Sequence, residues 1–226
     1  MISEEPVTIP AGAGPSLEAA VAVPPGASVG VVICHPHPLY GGDMDSPVVL
    51  TVAAACARQG LATLRFNFRG VGASGGAWDE GRGERDDVRA AVDALRRRLA
   101  PPARVALAGY SFGALMAASV ADRRPAGLAL VAPPLAAPTW ACPGPDVAGP
   151  VLVVAGSADS YCPRGALTAL ATAMPTATVT VIDGADHFFF TGLGALDTAV
   201  AAWAARLGGE PTSGAAASGS PYRPTG

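Results

Sequence analysis

The feature that most restricts the fold of this chain is a rhythm. From Val29 to Leu207, short apolar runs alternate with amphipathic stretches long enough for several helical turns. The run Val29-Gly-Val-Val-Ile-Cys34 has no polar position, so it predicts a strand buried on both faces rather than one half exposed to water. Such strands need helices on each side of the sheet, each returning the chain to the same edge. A mostly parallel, doubly wound α/β sheet with right-handed crossovers meets both demands. Further strands are predicted at Ala62–Phe66, Val105–Ala108, Leu128–Val131, Val151–Ala155 and Thr178–Ile182. The intervening helices are predicted over Ser46–Arg58, Glu84–Leu99, Phe112–Asp122, Arg164–Ala173 and Gly194–Leu207. Val7–Ile9 and Leu17–Val23, split by glycine-rich turn residues, predict an opening antiparallel pair. The length of 226 residues suits a single domain. It is expected over residues 1–207, with a flexible Gly/Ser/Ala/Pro-rich tail over 208–226.

Composition narrows the function. Half of the residues are apolar and 15% are charged, a balance that builds a core and excludes a disordered, solvating chain. The formal net charge of −3 leaves no electrostatic footprint for nucleic acid. All 15 basic residues are arginine, which excludes a P-loop lysine, a pyridoxal Schiff base and an aldolase-type lysine nucleophile. Cys34, Cys56, Cys142 and Cys162 form no C-x-x-C pair. Met1-Ile2-Ser3-Glu4-Glu5 is acidic where a secretory leader is basic and then apolar. The two stretches with few charges, 125–145 and 165–182, are broken by prolines and do not read as membrane spans of about 20 residues. A soluble, cytoplasmic chain without a membrane partner is expected.

The chemistry is concentrated in Gly109-Tyr110-Ser111-Phe112-Gly113. This G-x-S-x-G follows a predicted strand and opens a predicted helix, the context in which a sharp turn holds a serine hydroxyl clear of the sheet. Such a hydroxyl needs a base. Of the three histidines, His35, His37 and His187, only His187 follows the serine, as the order Ser, acid, His requires. It lies just past the last strand, at the carboxyl edge of a parallel sheet where ligands bind. The acid belongs on an intervening loop at the same edge. Asp159 meets that condition; Asp146 precedes its strand, and Asp183 and Asp186 lie too near His187 in sequence to orient its ring. Asp186 is expected to shape the histidine loop and Asp183 to be solvated.

An oxyanion needs backbone donors. One is expected at the N–H of Phe112, the other in the loop after Cys34. Pro36 and Pro38 carry no N–H, which leaves His37, Leu39, Tyr40 or Gly41; His37, nearest the strand end, is favoured. His35-Pro-His37 makes a poor chelate with no second pair at metal-site spacing, so neither metal nor cofactor is expected, and His35 is expected to fix its loop by hydrogen bonds. Gly70-Val-Gly72-Ala-Ser-Gly75 fits a dinucleotide fingerprint in letters only, because no helix opens at its third glycine. The Arg96-Arg97-Arg98 run suits a solvated helix end.

With these residues in place the chain resembles the α/β-hydrolases, and in particular small bacterial members carrying four motifs in order. They are His-Pro-His-Pro with Gly-Gly (35–42), Phe-Asn-Phe-Arg-Gly-Val-Gly-Ala-Ser (66–74), Gly-Tyr-Ser-Phe-Gly (109–113) and Gly-Ala-Asp-His-Phe-Phe (184–189). The resemblance implies Ser111, Asp159 and His187 as a triad, an architectural role for the Arg69 loop, and a generic hydrolase or esterase activity. Lid domains in this fold enter between the strands at Leu128–Val131 and Val151; here only Ala132 to Pro150 stand between them. A lidless, shallow site is therefore expected, lined by Leu39, Tyr40, Phe112, Trp140 and Phe188 and suited to short or medium acyl esters. Thioester cleavage, acyl transfer and lactone chemistry use the same triad and stay open, as does a non-catalytic ligand-binding role for the fold.

Overall fold

The computed structural model describes residues 3–10, 14–120, 124–137 and 147–208. Eight strands form one sheet: β1 (Glu5–Pro10), β2 (Ser16–Ala22), β3 (Val29–Cys34), β4 (Ala62–Phe66), β5 (Arg104–Tyr110), β6 (Leu128–Val131), β7 (Val151–Gly156) and β8 (Thr178–Ile182). Their spatial order is β1-β2-β4-β3-β5-β6-β7-β8. The β1–β2 and β2–β4 pairs are antiparallel and all others parallel. Among the described residues four helices lie between strands, α1 (Pro47–Arg58), α2 (Arg82–Arg96), α3 (Phe112–Ser119) and α4 (Arg164–Ala173), and α5 (Leu193–Gly208) follows the last strand.

The central strands alternate between two cores, as a period of two requires. On β3, Val29, Val31 and Ile33 face α1 and α5, whereas Val32 and Cys34 face the side of α2, α3 and α4. On β5, Ala106, Ala108 and Tyr110 join the first core, and Val105 and Leu107 the second. Every residue of β3, β6 and β7 is buried, which is why their sequences show no polar alternation.

Several boundaries differ from the sequence reading. α2 begins at Arg82 because Gly81 takes a left-handed turn (φ +82°) and the buried Glu84 carboxylate accepts the N–H groups of Gly81 (2.8 Å) and Asp79 (2.9 Å). It ends at Arg96, short of Leu99. α3 closes at Ser119, ahead of Asp122. β5 runs two residues further than expected, with Gly109 paired to Cys34 and Tyr110 to Val131, so the sheet carries the chain right up to Ser111. A short 3-10 turn at Pro38–Tyr40, absent from the periodicity argument, is capped by the His37 side chain. The expected tail at 208–226 and the pocket residue Trp140 lie outside the described residues, apart from Gly208. No helix of the described residues is long and apolar enough to cross a membrane.

Candidate active site

Ser111 stands between β5 and α3 at φ +54° and ψ −117°, a left-handed conformation that a side chain adopts only where its surroundings compel it. The compulsion is steric. A Cβ on Gly109 would run into the backbone of Gly113, and one on Gly113 into the carbonyls of Cys34 and His35. Glycine at both positions lets strand and helix close on the serine. The Ser111 carbonyl accepts from Ala114 (2.9 Å) and its N–H donates to Val131 (2.9 Å), so the turn is tied to helix and sheet together.

Two further loops at this edge bring an acid and a base to the hydroxyl. Gly156, at the end of β7, has no room for a side chain beside the Ala185 carbonyl, and Ala158 N–H donates to that same oxygen at 2.9 Å. The close approach draws the loop of Asp159 against the loop of His187. His187 Nδ1 lies 3.0 and 2.9 Å from the two Asp159 carboxylate oxygens, and its Nε2 lies 2.9 Å from Ser111 Oγ. A carboxylate only accepts, so Nδ1 carries the proton and Nε2 is left to accept from the serine hydroxyl. Asp159 Oδ1 also accepts from the N–H groups of Tyr161 (2.8 Å) and Cys162 (3.2 Å). Both Asp159 and His187 are buried.

The surroundings hold this chain of bonds in place. Tyr110 O–H donates to the His187 carbonyl at 2.9 Å, and burial, with Asp159 and Asp186 nearby, pushes that phenol up to about 12. Asp186 accepts from the N–H of Phe190 (3.3 Å), shaping the histidine loop as its position suggested. Asp183 is bound rather than merely solvated: Ser157 O–H donates to it at 3.0 Å. Burial, then Asp159, raises the Cys162 thiol to about 12, so a thiolate does not compete with the serine.

Elimination narrows the loop donors to two. Leu39 N–H donates to His37 Nδ1 (3.2 Å) and Tyr40 N–H to the His37 carbonyl (3.1 Å). Both are spent, whereas the N–H groups of His37, Gly41 and Phe112 have no acceptor among the described residues. His35 is fully buried, with Nδ1 2.6 Å from the Pro36 carbonyl and Nε2 accepting from Phe68 N–H at 3.0 Å. Burial drops its pKa to about 4. In the 70–75 loop the Glu18 carboxylate takes the Ala73 N–H (2.7 Å) and the Asn67 amide (2.8 Å), filling what a phosphate would need.

Leu39, Tyr40 and Phe188 are exposed, whereas Phe112 is buried against Phe68. Sequence reasoning missed two aromatic neighbours. Trp78 packs against His37 (4.6 Å between centroids) and Phe112 (5.1 Å); it arrives from a glycine-rich loop whose path no periodicity fixes. Tyr161 lies 4.5 Å from the His187 ring, and its only signal was its place two residues after Asp159. A recess of about 340 Å³ bounded by Pro24, Gly60, Leu61 and Gly208 lies at the amino edge of the strands, the opposite edge from Ser111.

Comparison with known proteins places the fold in a family. Residues 13–143, more than half of the chain, match the family model described as X-Pro dipeptidyl-peptidase (S15 family). An alpha-beta serine hydrolase homologue from Coxiella burnetii is 37% identical, with a TM-score of 0.81 over 89% of this chain and 98% of its own. An α/β serine hydrolase without lid from Xanthomonas campestris is 33% identical, with a TM-score of 0.78 over 88% and 92%. An uncharacterised protein of Rickettsia prowazekii is 42% identical over 106 residues, which are 47% of this chain and 44% of that protein; the chain thus spans less than half of that relative's length. A shared fold and identity of this extent over most of the chain show that it belongs to the α/β serine hydrolases, as one of the small members built without a lid.

Proposed function

We propose that this protein hydrolyses carboxylic esters of short or medium acyl chain through an acyl-enzyme on Ser111. One observation carries the reading: an unbroken run of hydrogen bonds from Ser111 Oγ through both nitrogens of His187 to Asp159. In the proposed reaction His187 Nε2 takes the serine proton while Oγ attacks the ester carbonyl. The oxyanion is received by the N–H groups of Phe112 and His37, which have no other acceptor among the described residues. The imidazolium, held by Asp159, hands its proton to the leaving alkoxide as the C–O bond breaks. Water then repeats the sequence on the acyl-serine, and the free acid leaves. Leu39, Tyr40 and Phe188, exposed around the site, supply apolar contact and no charge clamp, which supports an uncharged acyl group.

The matched family model favours a second reading, cleavage of a peptide bond after proline by the same serine. Intact mass after a fluorophosphonate probe, on wild type and Ser111→Ala, tests the common step; a single adduct on wild type and none on the variant is expected. A panel of p-nitrophenyl esters from acetyl to octanoyl, one acyl thioester and one X-Pro anilide then separates the readings. The highest kcat/KM is expected among the short and medium esters. An unlabelled wild type removes the activated serine, and preference for the anilide or the thioester moves the substrate class.

A further inference from the structure

Tyr161 is half exposed, and its hydroxyl has no hydrogen-bond partner among the described residues. Its ring nevertheless lies 4.5 Å from the imidazole of His187, at an interplanar angle of 39°. The backbone explains how it comes to be there. Asp159 Oδ1 accepts the N–H groups of Tyr161 and Cys162, closing a turn that folds residue 161 back over the base which Asp159 itself holds. Ala136 N–H donates to the Tyr161 carbonyl (3.1 Å), pinning that turn to the segment after β6. An aromatic face within about 6 Å of a cation attracts it, whereas a neutral imidazole gains much less. The difference appears only once the imidazole has taken a proton.

Resting on the serine-hydrolase reading above, we propose that Tyr161 is a positioning residue: its ring face covers His187 and favours the imidazolium that forms when Ser111 gives up its proton. The other groups around the imidazole are accounted for. Asp159 binds Nδ1, the Tyr110 ring stands 5.9 Å away, and Phe188 meets the imidazole edge-on at 5.5 Å and 87°. Asp186, in the same loop, is engaged by the Phe190 N–H. No cationic side chain forms a hydrogen bond or ion pair with His187 or Asp159 among the described residues.

The variants that isolate the ring are Tyr161→Phe, which keeps the π face and removes the hydroxyl, and Tyr161→Leu, which keeps apolar cover and removes the π face. NMR titration of the His187 ring protons reads the equilibrium directly and needs no turnover, so it stands even if the ester reading fails. The midpoint should be unchanged in Tyr161→Phe and lower by about half a pH unit in Tyr161→Leu. With an ester substrate, kcat should fall two- to five-fold in Tyr161→Leu, with KM and melting temperature unchanged and Tyr161→Phe at wild-type rate. An unmoved midpoint in Tyr161→Leu overturns the proposal, as does an equal loss in the phenylalanine variant. A change confined to KM would make Tyr161 a substrate contact and also overturn it.

Discussion

At the scale of single residues, the site works by removing choices. Ser111 is placed by a strained turn, His187 is restricted to one tautomer by a carboxylate that only accepts, and Asp159 is oriented by two backbone N–H groups besides the imidazole. Replacing Asp159 by Asn keeps the shape but offers an N–H₂ group to Nδ1. The imidazole then turns to its other tautomer and presents N–H to a serine that needs an acceptor. Turnover of an ester should fall on the order of 10⁴-fold, with the fluorophosphonate reaction slowed alongside it and the melting temperature far less affected. A variant with near wild-type turnover would move the acid role to another carboxylate. Ser111, Asp159 and His187 were legible as a cluster because each stands only a few residues past the end of a parallel strand. Trp78 and Tyr161 were not, since a loop that returns to the site leaves no period in the sequence.

At the scale of elements, the long loop after β4 is held by a buried charge pair rather than by secondary structure. Arg69 donates to Asp87 of α2 from Nε (3.0 and 3.1 Å) and Nη2 (2.6 Å), and its backbone N–H adds a further bond at 3.0 Å. The Asp87 side chain is fully buried. Arg69→Met would leave that carboxylate without its cation, a loss of roughly 3–5 kcal/mol. Arg65 offers the contrast. Its guanidinium is also ion-paired, to Glu4 and Asp45, yet those acids reach solvent (34% and 66% exposed). Arg65→Met should therefore lose at most about 1 kcal/mol. Urea unfolding of both variants checks the ordering, and equal losses would mean that water reaches Asp87. The resemblance to known hydrolases gave the Arg69 loop an architectural role; only the packing supplied Asp87, 18 residues away, as the reason.

At the scale of the whole molecule, His35 makes stability depend on pH. It sits at the end of β3, and its Nε2 accepts the Phe68 N–H that follows β4, so protonating it would set a donor against a donor. Its folded pKa of about 4 lies below the ordinary 6.5, so between those values the unfolded chain binds the extra proton. Stability is therefore complete above about pH 6.5, declines as pH falls toward 4, and is roughly 3 kcal/mol lower at the bottom of that window. Urea midpoints at pH 7.5 and 4.5, for wild type and His35→Gln, should show the loss largely confined to wild type. An equal acid loss in the variant would place the sensitivity elsewhere.

The sequence by itself determined the layers of this protein: strands without polar positions must be buried on both faces, and helices must then cover each side. It also determined where a serine, an aspartate and a histidine would meet, because strand ends in a parallel sheet share one edge. Only the tertiary structure decided what surrounds them. Gly156 and Gly113 permit close approaches whose partners, Ala185 and Cys34, are distant in the chain. The loop donors narrowed to His37 and Gly41 because the folded loop had already used the N–H groups of Leu39 and Tyr40. Local pattern specifies elements because backbone geometry repeats along the chain; contacts between loops do not repeat, and they exist only after the sheet has brought its carboxyl edge together.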